Sequence, residues 1–342
     1  MRTGKVSENV LKRSVLRQIK QKRQEIINGA GIGEDCAILS FPGEENLVTC
    51  VQEASALFES DKNWVARLIV KCANNVAAAG GEPVAVLLAF MLPQDTEESE
   101  LKALMKQAED ACHSLGIAIA GGHTTVTGAV SVPVATATGY GRAAEKTGPE
   151  GLRKSKNYSV RAVAPGQDVV ISKWIGLEGT AILARYCREK LLERYPSYFV
   201  DEAAGFDRYL SLLPEAATAV KSGVCAMHDA SEGGIFGALW ELAEGAGVGL
   251  TIDLKKLPIR QETVEVCEQC NVNPYELMSG GCLIMTTEDG PGLVTALEAE
   301  QIPAAIVGKV TDSNDRIILN EDEVRYMEKA QQDEIYHLQT GE

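Results

Sequence analysis

Asn74-Asn-Val-Ala-Ala-Ala-Gly-Gly-Glu-Pro83 closes one structural element and opens the next. Upstream of it, Trp64–Ala79 is rich in alanine and free of Gly and Pro, which predicts a buried helix. Gly80-Gly81 stops that helix and Pro83 prevents its resumption. Downstream, Val84–Met91 is a continuous apolar run of strand length. A helix, a glycine turn and a buried strand in succession are the pattern of an α/β protein, and the pattern repeats in both directions along the chain.

Toward the N-terminus, Leu47–Val51 and Cys36–Ser40 are short apolar runs separated by a turn-rich segment, predicting a hairpin or two neighbouring strands. Before Gly29–Gly33, Ser7–Asn28 carries apolar residues at helical spacing and predicts an amphipathic helix. Toward the C-terminus, Glu97–Leu115 reads as a helix capped by Asp95-Thr96 and ended by Gly116. Ile117–Ala120 and Val130–Gly139 read as strands around a Gly121–Thr127 loop. The polar, basic, Gly- and Pro-containing stretch from Thr147 to Pro165 marks a domain boundary. Beyond it a second series follows: strands at 168–172, 225–228, 249–252, 281–286, 304–310 and 315–319, helices at 178–193, 214–222, 234–246 and 261–269, and a last helix before the tail. The resulting organisation is a basic N-terminal helix or arm at 1–29, a first domain at 30–147, a linker at 148–164 and a second domain at 165–342.

Composition is that of a globular protein: 342 residues, 45% hydrophobic and 24% charged. A net charge of −15 argues against general nucleic-acid binding or attraction to anionic lipid. The exception is the arm, where Arg2, Lys5, Lys12, Arg13, Arg17, Lys20, Lys22 and Arg23 face the single acid Glu8. Such an arm can lie over an anionic ligand or an acidic face, or simply form a solvated helix face. Nine scattered cysteines, no apolar leader and no membrane-length apolar run point to free thiols in a reducing cytoplasm, with no membrane contact. Cys267 and Cys270 form a lone CxxC with no second pair at finger spacing, so they read as core and helix-surface residues and not as zinc ligands.

Five short signatures occur in an order that resembles the AIR synthase (PurM-like) superfamily. They are Gly31-Ile-Gly-Glu-Asp-Cys-Ala37, Asn74–Pro83, Gly121-Gly-His-Thr124, Met227-His-Asp-Ala-Ser-Glu-Gly-Gly234 and Met278-Ser-Gly-Gly281. Gly4-Lys5-Val6, the Gly-Gly-His-Thr form of the third signature and Trp174–Ala181 are most similar to the branch of HypE-type hydrogenase maturation factors and AIR-synthase-related proteins. The resemblance implies a two-domain α/β (α+β) fold. Its N-terminal domains pair into a central β-barrel in a homodimer, its C-terminal domain is an α/β sandwich, and ATP with Mg²⁺ lies between the two domain types. It also implies transfer of the ATP γ-phosphate to a carbonyl, amide or similar acceptor, small or protein-borne.

On that resemblance, Glu34, Asp35, Glu53 and Asp229 are the candidate Mg²⁺ ligands, since Mg²⁺ takes a few carboxylates together with phosphate oxygens. His123 and Asp35 are the candidate catalytic groups. Lys5, Gly33, Asn74, Asn75, Gly121, Gly122, Thr124, Gly233 and Gly234 are the candidate nucleotide contacts, the last two because a glycine turn lets phosphate reach helix N–H groups. His228 reads as buried structure and Lys173 as an exposed lysine. Three positions depart from the family pattern: Gln52, Asn75 and Thr125 stand where the resemblance implies acids, and each removes charge that would hold Mg·ATP. HypE proper ends in a cysteine that accepts a carbamoyl group, whereas this sequence ends Tyr336-His-Leu-Gln-Thr-Gly-Glu342 with its last cysteine at Cys282, so that thiol chemistry is not expected to carry over. Two readings result. One is an ATP-dependent phosphoryl-transfer enzyme. The other is a catalytically degenerate nucleotide- or metabolite-binding homodimer with an assembly or regulatory role. A thiamine-monophosphate-kinase-like transfer fits the fold but lacks that family's acid-rich motifs.

Overall fold

The computed structural model describes residues 4–21, 23–41, 46–143, 146–147, 153–154, 158–329 and 332–340. Its first half is built on a six-stranded sheet: β1 (Ile26–Asn28), β2 (Ala37–Leu39), β3 (Asn46–Ser55), β4 (Gly81–Leu92), β5 (Ala118–Val126) and β6 (Val134–Ala143), in the order β1-β2-β3-β6-β4-β5. All neighbours are antiparallel except β4 and β5. Two helices, α1 (Trp64–Ala78) and α2 (Glu98–Leu115), cover one face. The inward residues alternate with period two, so Val86, Leu88, Phe90 and Leu92 of β4 are buried against Val65, Leu68, Ile69 and Cys72 of α1. On the other face Val51, Leu87 and Met91 remain exposed.

The second half holds β7 (Asp168–Ser172), α3 (Leu177–Tyr186), α4 (Ser197–Ala204), α5 (Leu213–Ser222), β8 (Ala226–Ala230), α6 (Gly234–Ala246), β9 (Gly249–Asp253), α7 (Gln261–Cys270), β10 (Cys282–Thr287), α8 (Gly290–Ala299), β11 (Ala304–Thr311), β12 (Arg316–Asn320) and β13 (Glu323–Tyr326). The sheet order is β8-β10-β7-β11-β9-β12-β13, with only β9 and β12 parallel. Both faces are covered. Ile235, Leu239 and Leu242 of α6 pack with Ile171, Ile284 and Val307 on one side. Ala216, Ala219, Leu293 and Leu297 of α5 and α8 pack with Val170, Leu283 and Met285 on the other, where Ala77 and Ala78 of α1 join them. The C-terminal end of α1 thus belongs to both halves.

The structure corrects several sequence expectations. The Ser7–Asn28 helix is only a short helical stretch, Glu8–Val10 continuing as a π-turn over Leu11–Val15 and a 3₁₀ turn over Leu16–Gln18, and β1 takes Ile26–Asn28. Val15, Ile19 and Ile26 are exposed and Val10, Leu11 and Leu16 only half-buried, so the apolar stripe finds little surface to bury against and a highly charged segment has little to hold it helical. The expected Gly121–Thr127 loop is strand, because β5 runs without a break to Val126. Gly122 makes this possible: a Cβ there would lie 1.8 Å from the Leu88 carbonyl oxygen, and its φ is +154°. The Glu178–Glu193 helix breaks at Cys187 into α3 and a short helix over Arg188–Leu192. At α2 the cap position is Glu97, with no side-chain cap, while Gly116 does end the helix in the left-handed region. Residues 148–152 and 155–157 of the 148–164 linker lie outside the described residues, as do Arg2 and Lys22 of the arm and Gly341 and Glu342 of the tail.

Two buried struts join the halves or brace the segment between them. Asn74, one of the candidate nucleotide contacts, is buried, with both ends of its amide committed: Nδ2 donates to the Leu210 carbonyl (2.7 Å) and Oδ1 accepts from the Leu212 N–H (2.8 Å). Lys173, expected to be exposed, is buried at φ +52° and donates from Nζ to the carbonyls of Tyr209 (2.6 Å) and Ser211 (2.7 Å) while pairing with Glu215 (2.5 Å). Three oxygens offset the cost of desolvating its ammonium. Asn74→Ala leaves a buried N–H and a buried C=O without partners and should lower stability by about 2–4 kcal/mol, read from chemical denaturation.

Candidate functional site

Between the halves lies a cleft of about 720 Å³. Its walls come from the segment ahead of β2 (Glu34, Asp35), from β3 (Gln52, Glu53), from α1 (Arg67, Lys71, Asn75), from the start of α3 (Glu178) and from β8 and the turn after it (Asp229, Ser231, Glu232). Local sequence dictates most of these placements. Residues 67, 71 and 75 recur every four positions and so share one face of α1. Asp229 sits near the end of β8, an edge strand of the second sheet, and Gly233-Gly234, both left-handed at φ +86° and +65°, turn the chain directly into α6.

Asp35 and Asp229, far apart in sequence, meet here. Ligand atoms of Asp35, His228 and Asp229 all lie within 4.8 Å of one another, the one such grouping among the described residues. His228 is the centre of a charge chain. Its Nδ1 stands 2.9 Å from Asp35 Oδ2, its Nε2 faces Glu241 Oε2 of α6 at 3.4 Å, and Glu241 Oε1 pairs with Lys5 Nζ at 2.5 Å. Burial disfavours the imidazolium, but Asp35 and Glu241 outweigh it and raise His228 to about 10. Glu241 is held at about 2: burial pushes it up, and the His228 hydrogen bond and Lys5 charge overcome that. Burial first, and then repulsion from Asp35, lift the Asp229 carboxyl to about 7. His228 therefore acts as a fixed cation, leaving Asp35 and Asp229 as the two oxygen donors. A carboxylate pair whose second member ionises only near neutrality fits a divalent cation, whose charge would hold both in the ionised form.

The other candidate residues divide clearly. Asn75, with its amide oriented to satisfy its neighbours, donates to Asp229 Oδ2 (3.1 Å) and to the Lys71 carbonyl (3.0 Å) and accepts from Gln52 Nε2 (2.7 Å). Gln52, and not Glu53, therefore reaches the acidic cluster, and Glu53 is exposed at the rim. Glu34 is turned into structure, accepting from Asn28 Nδ2 (2.6 Å) and Ser159 Oγ (2.6 Å) and pairing with Arg161 (3.2 Å). Gly33 packs the acidic loop onto α6, since a Cβ there would lie 2.9 Å from the Glu241 carbonyl oxygen. The Gly233 N–H, expected to meet phosphate, instead donates to Asp333 Oδ2 (2.7 Å), and Gly234 N–H bonds the Ser231 carbonyl. Asp333, from the C-terminal segment, is buried, and burial raises its carboxyl to about 8. Lys5 lies at the cleft with Nζ already engaged by Glu241, and its backbone N–H donates to Glu232 (2.5 Å). With Lys12 on Glu244, the basic arm thus docks on the acidic side of α6 in its own chain. Gly121, Gly122, His123 and Thr124 lie on the edge strand β5, exposed, and none of them lines the cleft. Cys270, expected on a helix surface, is buried with Cys267, its Sγ 2.9 Å from that of Cys187.

Sequence reasoning missed Arg67, Lys71, Glu178 and Glu241. Each reads as an ordinary helix charge, although the four-residue spacing of Arg67, Lys71 and Asn75 on one helix was a signal available in the sequence. The charge chain makes a pH prediction. A His228 pKa raised from 6.5 to about 10 gives stability that is complete below about 6.5 and lost as pH rises through 10. The raised Asp229 carboxyl acts in the same direction between about 4 and 7, because the native state binds the proton more tightly. Unfolding free energy should therefore fall between pH 7 and 10, and the His228 imidazole NMR signal should titrate near 10 and move down by more than about one pH unit in Asp35→Asn.

Comparison with known proteins agrees with this architecture. The N-terminal domain of AIR synthase related protein matches residues 33–143 and the C-terminal domain of the same family matches residues 164–320. The carbamoyl dehydratase HypE of Rhodobacter capsulatus is 26% identical over 302 residues, covering 86% of this chain and 82% of its own. A HypE chain from a HypE–HypF complex superposes with TM-score 0.69 at 22% identity, covering 87% of this chain and 94% of that one. The hydrogenase maturation protein HypE in complex with ATP superposes with TM-score 0.68 at 18% identity over 97% of both chains. With both domain types matched in order and the same two-sheet architecture, the chain belongs to the AIR synthase related family.

Proposed function

We propose that this protein is an ATP-dependent phosphoryl-transfer enzyme that binds Mg·ATP in the cleft between its two sheets and acts on a carbonyl, amide or similar acceptor. One observation carries the reading: Asp35 from the first half, half-buried, and Asp229 from the second, buried, converge at the cleft, where two carboxylates side by side call for a cation. The kinship with carbamoyl dehydratases and the likeness to an ATP-bound HypE chain support the nucleotide. Mg²⁺ at Asp35 and Asp229 would neutralise phosphate charge and orient the phosphate oxygens, which is most of what phosphoryl transfer asks of a protein. The chain's own groups supply the rest. His228, as a buried cation between Asp35 and Glu241, fixes the Asp35 carboxylate in place. Asn75 holds Asp229 through its amide N–H.

The second reading, a nucleotide- or metabolite-binding protein without turnover, draws on Gln52 and Asn75. Their amides bond to each other beside Asp229 and bring no charge to the metal. Phosphate release separates the two readings. Wild type should hydrolyse ATP slowly in Mg²⁺ even without acceptor, and Asp35→Asn or Asp229→Asn should reduce the rate by at least about a hundredfold. Calorimetric binding of a non-hydrolysable ATP analogue with no measurable turnover would favour the binding reading.

The same kinship supports a homodimer paired through the open face of the first sheet, where Val51 of β3 lies exposed together with Leu87 and Met91 of β4, the neighbour of the edge strand β5. Sedimentation at micromolar concentration is expected to give twice the chain mass. Leu87→Glu with Met91→Glu should return the monomer, and a wild-type monomer would remove this part of the reading.

A further inference from the structure

Lys71 is the one lysine of α1 that faces the cleft, and among the described residues its ammonium has neither a hydrogen bond nor an ion pair. It is half-buried. Burial works against its charge, while Glu178, Glu232 and Asp229 keep its pKa raised without approaching to contact. One turn earlier on the same helix face, Arg67 is buried at 7% exposure. Its Nη2 bonds Asp61 and its Nε lies 3.7 Å from Glu178, but its Nη1 is buried with no hydrogen bond, at 3.9 Å from Asp207. Both side chains line the same cleft as Asp35 and Asp229. One turn later stands Asn75, an amide in contact with Asp229.

An unpaired ammonium and an unsatisfied buried guanidinium N–H are expensive to keep in a folded protein. Lys71 braces no backbone carbonyl, in contrast to Lys173. The acids around it stand too far away to be ion pairs, which leaves room for an anion between the cations and the acidic pair. A divalent cation at Asp35 and Asp229 would make that space favourable for phosphate oxygens. Asn75 and Gln52 add no negative charge to hold further metal on that side, and Lys71 supplies positive charge there that needs no metal at all.

We infer that Lys71, with Arg67 behind it, forms an oxyanion subsite that takes the terminal phosphates of the nucleotide, a fixed positive charge in the protein doing there what a second metal ion would otherwise do. This rests on the proposed use of the cleft for Mg·ATP and specifies which side chains hold the end of the triphosphate. Lys71 is the direct contact. Arg67, restrained by Asp61 and facing Asp207, adds its positive charge behind Lys71 and draws Glu178 to its Nε.

The test combines calorimetric binding of the ATP analogue AMPPNP in Mg²⁺ with thermal melting of the ligand-free protein, for wild type, Lys71→Met and Lys71→Arg. Lys71→Met should weaken AMPPNP binding on the order of tenfold or more, because a charge pair in a partly desolvated site is lost. The same variant should melt within a few degrees of wild type, because Lys71 makes no hydrogen bond or ion pair that the fold would lose. Lys71→Arg should bind within about threefold of wild type, since a positive charge is retained. Wild-type affinity in Lys71→Met would overturn the inference while leaving the nucleotide reading intact. A clear drop in the melting temperature of Lys71→Met, with binding lost equally in Lys71→Arg, would assign the lysine to structure and also overturn it. Failure of wild type to bind AMPPNP in Mg²⁺ would overturn this inference and the nucleotide reading together.

Discussion

The chain of charges running Asp35–His228–Glu241–Lys5, buried at His228 and open to solvent at Lys5, is the interaction on which the rest of the site depends. Asp35 belongs to the loop ahead of β2, His228 to the edge strand β8, Glu241 to α6 and Lys5 to the N-terminal arm, so four separate pieces of chain are fixed relative to one another by one alternation of negative and positive groups. Taking any of these groups from water is costly, and only a complete alternation makes the burial tolerable. Once His228 carries its proton, Asp35 is pinned, the acidic loop is pinned to the second half, and Asp229 is left as the carboxyl with least compensation.

That uneven compensation gives the cleft its chemistry. On the Asp35 and Asp229 side the surplus is negative, with one carboxyl ionising only near neutrality. On the α1 side two cations stand among several acids: Lys71 has no hydrogen bond or ion pair among the described residues, and Arg67 lies between Asp61, Glu178 and Asp207 with its Nη1 lacking a hydrogen bond. Beside the cleft, Asn74 and Lys173 each grip backbone in the 209–212 segment and tie α1 and the end of β7 to it. A cleft with a carboxylate pair on one wall and a lysine and an arginine on the other suits a ligand that brings both signs, and a metal-bound polyphosphate does so. The glycine turn before α6 takes no part in this, because Asp333 of the same chain already accepts its N–H.

Much of the fold was readable directly from the sequence. Trp64–Ala78, Asp168–Ser172 and Gly234–Ala246 are framed by glycines, prolines and abrupt changes in apolar period, and these are local properties. Where a segment's fate depends on a partner surface, local reading failed. The arm has helical spacing but nothing apolar to lie on, and the Gly-Gly-His-Thr stretch looks like a loop until β4 is placed beside it and Gly122 is seen to be what admits the Leu88 carbonyl. At the site, Asp35 and Asp229 were legible because short motifs of Gly and acid carry them. Glu34, Asn74 and Gly233, which stand in the same motifs, turned out to be structural, since motif membership does not tell which way a side chain points.

The sequence by itself determined the element types, the two-part organisation and the acids at the hearts of its glycine-framed loops, because turn chemistry and hydrophobic period act over a few residues. Only the tertiary structure decided which charges are paired and which are left over. Whether Lys71 is free while Lys173 is bound, or whether His228 is a cation while Asp229 is half-neutral, depends on neighbours up to about two hundred positions away along the chain. The desolvation and Coulomb terms that set these states arise from proximity in space, for which sequence separation is no guide.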